Sequence, residues 1–214
     1  MKHIAHIENS FDTKFGIPRQ SGLTGLESRI VFEKEYSSPE AVRGLEEFSH
    51  IWLIWETSES ITEEFSPTVR PPRFGGNVRV GVFATRSPFR PNPIGLSCVE
   101  LVRIEADAKR GPVLVVKGAD LMNMTPIYDI KPYVPYTDCR ENASEGFATA
   151  PEENFEVVFE CTVPEKIKKD LEEILCLDPR PRYHEEGREY GFSYGGYEIK
   201  FEVNNNTVAV KDIS

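Results

Sequence analysis

The sequence predicts a mainly β protein, with a closed or half-closed β-barrel as its N-terminal domain and a small α+β C-terminal domain. First, short runs rich in Val, Ile, Phe and Trp dominate the first two thirds of the 214-residue chain. Second, Gly/Pro-rich turns separate these runs, and strands do not alternate with helices there. Because closing a sheet removes its exposed edges, this pattern favours a barrel over an open sheet.

The barrel domain is predicted to cover residues 1–138 and to consist of short strands. These strands are predicted at residues 2–8, 29–35, 50–57, 79–85, 96–106 and 112–118. Residues 139–153 are polar, small and acidic, which is typical of a linker.

The second domain is predicted to cover residues 154–214. It begins with a strand and continues with a helix that Pro164 opens. The apolar residues of this helix fall on one face at helical spacing, and two further strands follow. A domain of this size buries little surface by itself, so we expect it to pack against the barrel.

The composition indicates a soluble globular protein, with 39% hydrophobic and 28% charged residues. No apolar run approaches the ~20 residues that span a bilayer. Residues 1–15 lack the apolar core and the cleavage site of a signal peptide. We therefore expect a cytoplasmic protein without a membrane partner.

The cysteines and histidines do not indicate a disulfide framework or a metal site. The 4 cysteines include no CxxC pair, which in a cytosolic chain favours free thiols. His3 and His6 lie on an apparent strand, where they would point to opposite faces. Since they would not share an ion, we expect no metal.

Basic residues are concentrated in one stretch, although the net charge of the chain is −10. Residues 65–99 contain no Asp or Glu, so with five arginines there the remainder carries a net charge of −15. An acidic protein with one basic face can direct a polyanion to that face. The alternative is a set of arginines scattered over a solvated surface. The five are Arg70, Arg73, Arg79, Arg86 and Arg90.

The loop of residues 85–97 presents polar side chains on stiff backbone. Its three prolines restrict the chain around Arg86, Arg90 and Asn92. Preorganised polar groups of this kind are what a ligand site requires. The alternative is a Pro-stiffened barrel corner with surface arginines.

Residues 118–136 form a second candidate element. Asp129 and Lys131 flank one apolar residue, so on extended backbone they share a face, where they pair or both meet a ligand. Tyr133 and Tyr136 add aromatic surfaces that suit a splayed base. The alternative is an edge strand with amphipathic tyrosines.

A third loop, residues 15–23, carries Pro18, Arg19 and Gln20 between glycines. No segment matches a strand–GxGxxG–helix fingerprint, so a Rossmann cradle is not expected. From the residues alone, the three segments predict an Arg-lined, aromatic and Pro-rigid pocket on a β-barrel.

These segments closely resemble the TrmO family (also called YaeB or VirR-type), the S-adenosylmethionine-dependent tRNA N-6-adenosine methyltransferases. The matching motifs are KFGIPRQSGL, SHIWLIWE, VRPPRFGGNVRVGVFATRSPFRPNPIGLS, TPIYDIKPYVPY and DPRPRY. The resemblance implies a homodimer whose barrel domain binds S-adenosylmethionine outside a Rossmann fold. It also implies that the substrate is threonylcarbamoyladenosine in the tRNA anticodon loop, methylated on its exocyclic nitrogen.

The resemblance also assigns residues to the cofactor. They are Pro18, Arg19, Gln20, Ser58, Glu59, Arg86, Leu96, Asn123, Met124, Thr125 and Pro126. The chain departs from the family in two of these places. Asn123 and Met124 replace an aspartate and a glycine, and Ser58-Glu59 replaces His-Glu or His-Gln. Backbone contacts would survive these changes, whereas side-chain contacts would not.

The remaining roles are hypotheses about chemistry. Asp129 or Tyr133 takes the proton of the acceptor nitrogen or orients that nitrogen. Arg90 and Lys131 bind the threonyl carboxylate. The C-terminal domain contacts tRNA. The residues assigned to substrate or tRNA are Arg70, Arg73, Arg90, Asn92, Lys131, Arg180 and Arg182. The alternative functions are a non-catalytic module that binds a nucleotide-like ligand, and a methyltransferase with another acceptor.

Overall fold

The computed structural model describes residues 1–62, 64–71, 78–148, 154–180 and 188–214. Its N-terminal part is a closed barrel with the strand order β1-β2-β7-β6-β3-β8. The strands are β1 (Ala5–Glu8), β2 (Glu27–Phe32), β3 (His50–Glu56), β4 (Thr68–Val69), β5 (Val80–Gly81), β6 (Ile94–Asp107), β7 (Gly111–Lys117) and β8 (Pro126–Pro132). The prediction of a mainly β chain with a closed barrel is confirmed.

Along the barrel strands, buried residues that point inward alternate with less buried residues that point outward. On β3, Ile51 and Leu53 point inward and are fully buried, whereas Trp52 and Ile54 point outward. All neighbouring barrel strands pair antiparallel. Closure leaves no strand of this sheet with an open edge along its whole length.

The prediction of a strand at residues 79–85 is wrong for most of these residues. Only Val80–Gly81 is extended, as β5, which pairs with β4. A turn of 3-10 helix, Val82–Ala84, follows and is closed by hydrogen bonds from the amide and hydroxyl of Thr85 to the Val82 carbonyl. Val82 is fully buried in this turn, so its burial overrides the β propensity of the run.

A short helix, α1 (Pro135–Asp138), follows the barrel, and the C-terminal part is a four-stranded sheet with one helix. Its elements are β9 (Glu156–Phe159), α2 (Glu165–Leu175), β10 (Glu189–Tyr194), β11 (Tyr197–Asn204) and β12 (Thr207–Ile213). The apolar face of α2 is buried as its spacing predicts. None of the helices among the described residues is long and apolar enough to cross a membrane.

The segment between β1 and β2 packs into the core of the C-terminal part. Phe11 and Leu26 are buried there, and Phe15 and Ile17 pack against the same cluster. Phe11 also forms a β-bridge with Tyr194, and their rings meet edge to face at 5.2 Å. Residues 11–26 therefore join the two parts of the molecule, although the sequence assigns them to the barrel.

Candidate functional site

The loop of residues 15–23 lies along a part of β6 that β7 leaves uncovered. β6 has 14 residues but β7 only 7, and their pairing starts at Glu100 opposite Lys117. The amide of Cys98, in the uncovered part, donates to Ser21 Oγ at 3.2 Å. The loop therefore satisfies backbone groups that a neighbouring strand would otherwise bind.

Gly118 lets this loop cross the end of β7 at close range. The Gly22 amide donates to the Gly118 carbonyl at 2.8 Å. A Cβ atom at position 118 would lie 3.0 Å from the Gly22 backbone, and Gly118 has a φ of +78°. Both observations require glycine there.

The polar residues of the loop make contacts in two directions. Arg86 Nη1 donates to Gln20 Oε1, which joins this loop to the loop of residues 85–97. Arg19 Nη2 donates to the carbonyls of Asp178 and Arg180, at 3.1 and 2.7 Å, in the turn after α2. Pro18 is buried between these contacts. The structure thus brings together two of the predicted loops and adds a support from the C-terminal part.

The loop of residues 85–97 is held partly by its own arginine. Arg90 Nη1 donates to the carbonyls of Val82 and Thr85 at 3.1 and 2.9 Å, and its guanidinium lies 5.6 Å from the centre of the exposed Phe83 ring. Asn92 is exposed, and its carbonyl accepts from the Ile94 amide at 2.8 Å in the turn that enters β6. Arg90 therefore stabilises the loop from inside.

The segment after β3 meets this loop as well. Thr57 is buried, and its amide and hydroxyl donate to the carbonyls of Pro93 and Pro88 at 2.9 and 3.3 Å. Ser58 and Glu59 start a turn of 3-10 helix, and the Glu59 carbonyl accepts from Lys14 Nζ at 2.5 Å. The Glu59 side chain is exposed.

Residues 122–125 form a tight turn before β8. The Thr125 amide donates to the Met122 carbonyl at 3.2 Å, and Met124 has a φ of +64°. Asn123 is used structurally, because its Oδ1 accepts from the Asn9 amide at 3.1 Å. Thr125 is buried, whereas the Met124 side chain is 57% exposed. Pro126 starts β8 opposite His6.

Three neighbouring strands share an outer surface, which we call the β6–β3–β8 face. Ile54 pairs with Leu96 on one side and with Asp129 on the other, so these three side chains form one row. Trp52 similarly pairs with Cys98 and Lys131 in the next row. The face consists of Ile94, Leu96, Cys98, Trp52, Ile54, Glu56, Asp129 and Lys131. Leu96 is 57% exposed although it lies in a long strand.

The candidate catalytic residues lie at one side of this face. Asp129 Oδ2 pairs with Lys131 Nζ at 3.0 Å. The Tyr133 ring packs against the Trp52 ring at 5.8 Å, and desolvation followed by the nearby Cys139 and Cys98 sulfurs raises the pKa of Tyr133. A tyrosine with a raised pKa keeps its proton at neutral pH. Tyr136 is 90% exposed.

The arginines assigned to tRNA differ in their surroundings. Arg70 is exposed. Arg180 pairs with Asp178 through contacts of 3.0 and 3.1 Å, its side chain is 13% exposed, and its guanidinium lies 5.8 Å from the centre of the Phe155 ring. Arg180 thus holds the turn that receives Arg19. Arg73 and Arg182 lie outside the described residues.

Asp120 belongs to this site although the sequence does not single it out. Ser97 Oγ donates to Asp120 Oδ1 at 2.5 Å. Burial raises the pKa of the Asp120 carboxyl, while the Ser97 hydrogen bond and the Arg86 charge act in the opposite direction. Its contacts come from residues far away in sequence, so no local pattern indicates them.

No group of three or more His, Cys, Asp or Glu side chains within the described ranges is arranged to hold a metal ion. The donors at the site suit an organic ligand instead. The exposed Arg86 guanidinium matches a carboxylate, and the exposed Leu96 and Met124 side chains match an apolar or aromatic group. S-adenosylmethionine carries both an amino-acid carboxylate and an adenine ring, so these residues fit it.

Comparison with known proteins identifies the family. The family model of the tRNA-methyltransferase O N-terminal domain matches residues 6–139, and that of the TrmO C-terminal domain matches residues 153–214. The chain belongs to the TrmO family. It is 38% identical to tRNA (adenine(37)-N6)-methyltransferase of Escherichia coli strain K12, over 94% of this chain and 90% of that protein. It is also 38% identical to the Eikenella corrodens enzyme of the same name, over 78% of this chain and 97% of that protein.

Solved TrmO structures share the fold. One crystal structure of TrmO superposes with a TM-score of 0.80 at 30% identity, covering 99% of this chain and 97% of that one. A TrmO structure from Pseudomonas aeruginosa gives a TM-score of 0.76 at 29% identity, over 100% and 96% of the chains. Among the relatives by sequence is RcsF of P. aeruginosa, whose name places it with the S-adenosylmethionine-dependent methyltransferases.

The two departures from the TrmO pattern have different structural consequences. Met124 occupies a left-handed backbone conformation, which a glycine, the residue that the resemblance implies here, would adopt at lower energetic cost. Asn123 keeps an acceptor oxygen where the family has aspartate, and this oxygen binds the Asn9 amide. At Ser58 and Glu59 the backbone carbonyl is the group that makes the contact with Lys14.

Proposed function

We propose that the protein transfers a methyl group from S-adenosylmethionine to the exocyclic nitrogen of threonylcarbamoyladenosine, next to the tRNA anticodon. Membership of the TrmO family makes the chain a tRNA methyltransferase that depends on S-adenosylmethionine. The observation that carries the proposal is that the loops of residues 15–23 and 85–97 meet beside the uncovered part of β6, through Arg86 and Gln20.

S-adenosylmethionine supplies an electrophilic methyl group, and the protein has to position two ligands against each other. Arg86 binds the carboxylate of the methyl donor, since a guanidinium forms a forked contact with that group. Leu96 and Met124 offer exposed apolar surface to its adenine. The Pro18–Gln20 segment and the buried Thr125 supply the supporting backbone.

Asp129 accepts the proton of the acceptor nitrogen. Its carboxylate lies on the outer surface of the barrel in the same row as Leu96, which stands at the proposed donor site. Its partner Lys131 is a cation at 3.0 Å. Tyr133 keeps its proton because its pKa is raised, so it donates a hydrogen bond and orients the nitrogen.

Lys131 binds the threonyl carboxylate of the substrate. Arg90 uses one end of its guanidinium to bind two backbone carbonyls and packs on Phe83, so its main contribution is to hold the loop. Lys131 is exposed on the β6–β3–β8 face, where its ammonium is accessible to an anion. Arg70 and the neighbouring acid-free stretch attract the phosphates of the anticodon loop.

The protein works as a homodimer in the cytoplasm. Support for the dimer comes from large apolar side chains exposed around the residue 85–97 loop, namely Phe65 at 54%, Phe83 at 72% and Phe89 at 51%. Phe65 and Phe83 stack with their ring centres 6.3 Å apart, which makes a continuous apolar surface of the kind found at subunit interfaces. Sedimentation of wild type and of Phe83→Asp tests this, with a monomeric mass expected for the variant.

The decisive experiment is incubation with methyl-labelled S-adenosylmethionine and total tRNA that contains threonylcarbamoyladenosine but lacks its N6-methyl group. Label in the N6-methylated form of that nucleoside supports the proposal. Label in a different nucleoside identifies a methyltransferase with another acceptor. Binding of S-adenosylmethionine without transfer of label identifies a non-catalytic module. Binding to tRNA is expected to weaken steeply with salt, as contacts to phosphates require.

A further inference from the structure

Asp120 lies between the segments that form the proposed methyl-donor site, and it is hydrogen-bonded to Ser97 on β6. It lies in the connection between β7 and β8, two residues after Gly118, at which the residue 15–23 loop crosses the end of β7. Residues 119–121 join Gly118 to the turn of residues 122–125. Asp120 therefore lies between two predicted cofactor segments, the residue 15–23 loop that crosses at Gly118 and the residue 122–125 turn. Its side chain is partly buried there.

A fixed chain of hydrogen bonds leads from the barrel interior to this carboxylate. Trp55 Nε1 donates to Ser97 Oγ at 3.0 Å, and Ser97 Oγ donates to Asp120 Oδ1 at 2.5 Å. Because Trp55 uses an acceptor site of the hydroxyl, the single proton of Ser97 is directed at Asp120. Ser97 is 1% exposed, and the Trp55 ring packs directly over Gly95, so the chain cannot rotate away.

Two groups of the donor site act on the charge of the same carboxylate. The Ser21 amide, in the residue 15–23 loop, and the Arg86 guanidinium, in the residue 85–97 loop, both favour its ionised form. Ser21 Oγ in turn accepts from the Cys98 amide, and Arg86 donates to Gln20. Asp120 thus contacts or attracts β6 and both loops that carry the proposed donor-binding residues.

The Asp120 carboxyl lies in a position where burial disfavours its ionised form. Burial raises the pKa of Asp120, so the ionised form is less stable in the folded protein than in water. A neutral side chain of the same shape would remove that cost. A group kept at a cost to stability near a ligand site is expected to serve the ligand.

We infer that Asp120 is a positioning residue of the methyl-donor site, whose carboxylate, held by Ser97, keeps the residue 15–23 loop and, through Gln20 of that loop, Arg86 in the geometry that binds S-adenosylmethionine. The inference rests on the proposed function. The Ser97 hydroxyl directs the carboxylate, the carboxylate attracts the Arg86 guanidinium, and Gln20 holds the guanidinium that receives the amino-acid end of the donor. Asp120 acts through Arg86 and Ser21 and not on the methyl group.

The test compares Asp120→Asn with Asp107→Asn. Asp107 is the control because it is another hydrogen-bonded aspartate, at the opposite end of β7 and away from the proposed donor site, where its Oδ1 accepts from the amides of Lys109 and Arg110 at 2.8 and 2.9 Å. We expect Asp120→Asn to raise both the Kd and the KM for S-adenosylmethionine by about 10-fold or more, with kcat within about 3-fold of wild type. Asp107→Asn is expected to leave all three unchanged.

Two further readouts separate positioning from a purely structural role. The Tm of Asp120→Asn is expected to equal or exceed that of wild type at neutral pH, because the variant removes a carboxyl whose ionisation burial opposes. In wild type, the KM for S-adenosylmethionine rises as pH falls through the raised pKa of Asp120 and the attraction to Arg86 is lost. In Asp120→Asn this pH dependence is absent.

The results that overturn the inference are distinct from those that overturn the proposed function. An unchanged Kd with a lowered Tm makes Asp120 structural, and a lowered kcat with an unchanged KM places its action on the reaction itself. In both cases wild type still binds the donor and methylates tRNA, so the proposed function survives. A wild-type protein that does not bind S-adenosylmethionine removes both.

Discussion

The two outer faces of the barrel differ in how their charges and apolar side chains are used. The face formed by β1, β2, β7 and the second half of β6, which we call the β1–β2–β7 face, is covered by ion pairs. They are Glu8 with Arg110, Arg29 with Glu105, Arg103 with Glu27 and Glu105, and Lys117 with Glu27. The β6–β3–β8 face instead exposes Leu96 and Ile94, beside the Asp129–Lys131 pair and the contact of Glu56 with His3 at 3.2 Å.

β6 contributes to both faces, so the difference between the faces in exposed apolar residues and ion pairs arises within a single strand. Its first half carries apolar residues and lacks a β7 neighbour, whereas its second half pairs with β7 and carries Arg103 and Glu105. Surface ion pairs contribute little stability but keep a face soluble. Exposed apolar side chains that are not covered by such pairs indicate a binding surface. We therefore propose that ligands bind at the β6–β3–β8 face and not at the β1–β2–β7 face.

The largest effect is expected from a charge placed on the β6–β3–β8 face. Leu96→Glu should fold normally because its side chain is 57% exposed, yet it should lower methyl transfer by about 100-fold or more, since it puts a carboxylate where an apolar group binds. Val158→Glu is the matched control, because Val158 is an apolar strand residue that is 39% exposed in the C-terminal sheet. Equal activities of the two variants would break the comparison.

The next effect concerns proton transfer on the same face. Asp129→Asn should lower the single-turnover rate by about 10²-fold while leaving the Kd for S-adenosylmethionine unchanged, because general-base catalysis typically contributes that much. Tyr133→Phe should have a smaller effect, since its pKa is raised and it acts as a hydrogen-bond donor. Asp212→Asn, an exposed carboxyl on β12, serves as the control. A double Asp129→Asn, Tyr133→Phe variant with the wild-type rate would remove the hypothesis.

A moderate stabilisation is expected at the turn beside this face. Met124→Gly should raise the free energy of unfolding by about 1 kcal/mol, because a non-glycine residue in the left-handed region costs about 1–2 kcal/mol and part of that gain is lost to the unfolded chain. Met124 has a φ of +64°. Denaturant titration measures the change. Met122→Gly is the control in the same turn and should destabilise, so a destabilised Met124→Gly would show that its side-chain contacts outweigh the strain.

The smallest effect is expected on the β1–β2–β7 face. Arg103→Ala removes contacts to Glu27 and Glu105. The three side chains are 45%, 46% and 32% exposed, in the order Arg103, Glu27 and Glu105. Ion pairs between exposed side chains contribute only about 0–1 kcal/mol to stability. We expect full methyltransferase activity and a Tm within a few degrees of wild type, measured by enzyme assay and thermal unfolding. A loss of activity as large as that of Leu96→Glu would assign a function to this face too.

Much of the fold follows from the sequence because it depends on local pattern. The β-branched and aromatic residues of the run at residues 50–57 predict a strand, and the helical spacing in α2 predicts the buried face that the structure has. The run at residues 79–85 also has local β propensity, but Val82 is buried in a turn of 3-10 helix and its amide donates to the Pro67 carbonyl at 3.0 Å. Local pattern does not contain that information.

The site could be predicted only in part for the same reason. Prolines and glycines indicate stiff loops, and these loops do meet at β6 through Gln20 and Arg86. Asp120 was not predicted, because Ser97 is 23 residues away and Ser21 lies even further along the chain. The inward use of Arg180 was not predicted either, since an arginine in an Asp-Pro-Arg turn looks the same whether it faces tRNA or Phe155.

Residues 11–26 share a hydrophobic core with the C-terminal sheet, and this constrains the order in which the parts of the chain fold during synthesis. Phe11 bridges Tyr194, and Gly16 lies so close to the Phe192 ring that a Cβ atom there would be 2.6 Å from it. During synthesis, the residue 15–23 loop therefore waits for β10 before it can take its final position. A nascent chain that has closed its barrel still lacks the finished form of the proposed donor site, so we expect methyl-transfer competence only after β10 has been synthesised.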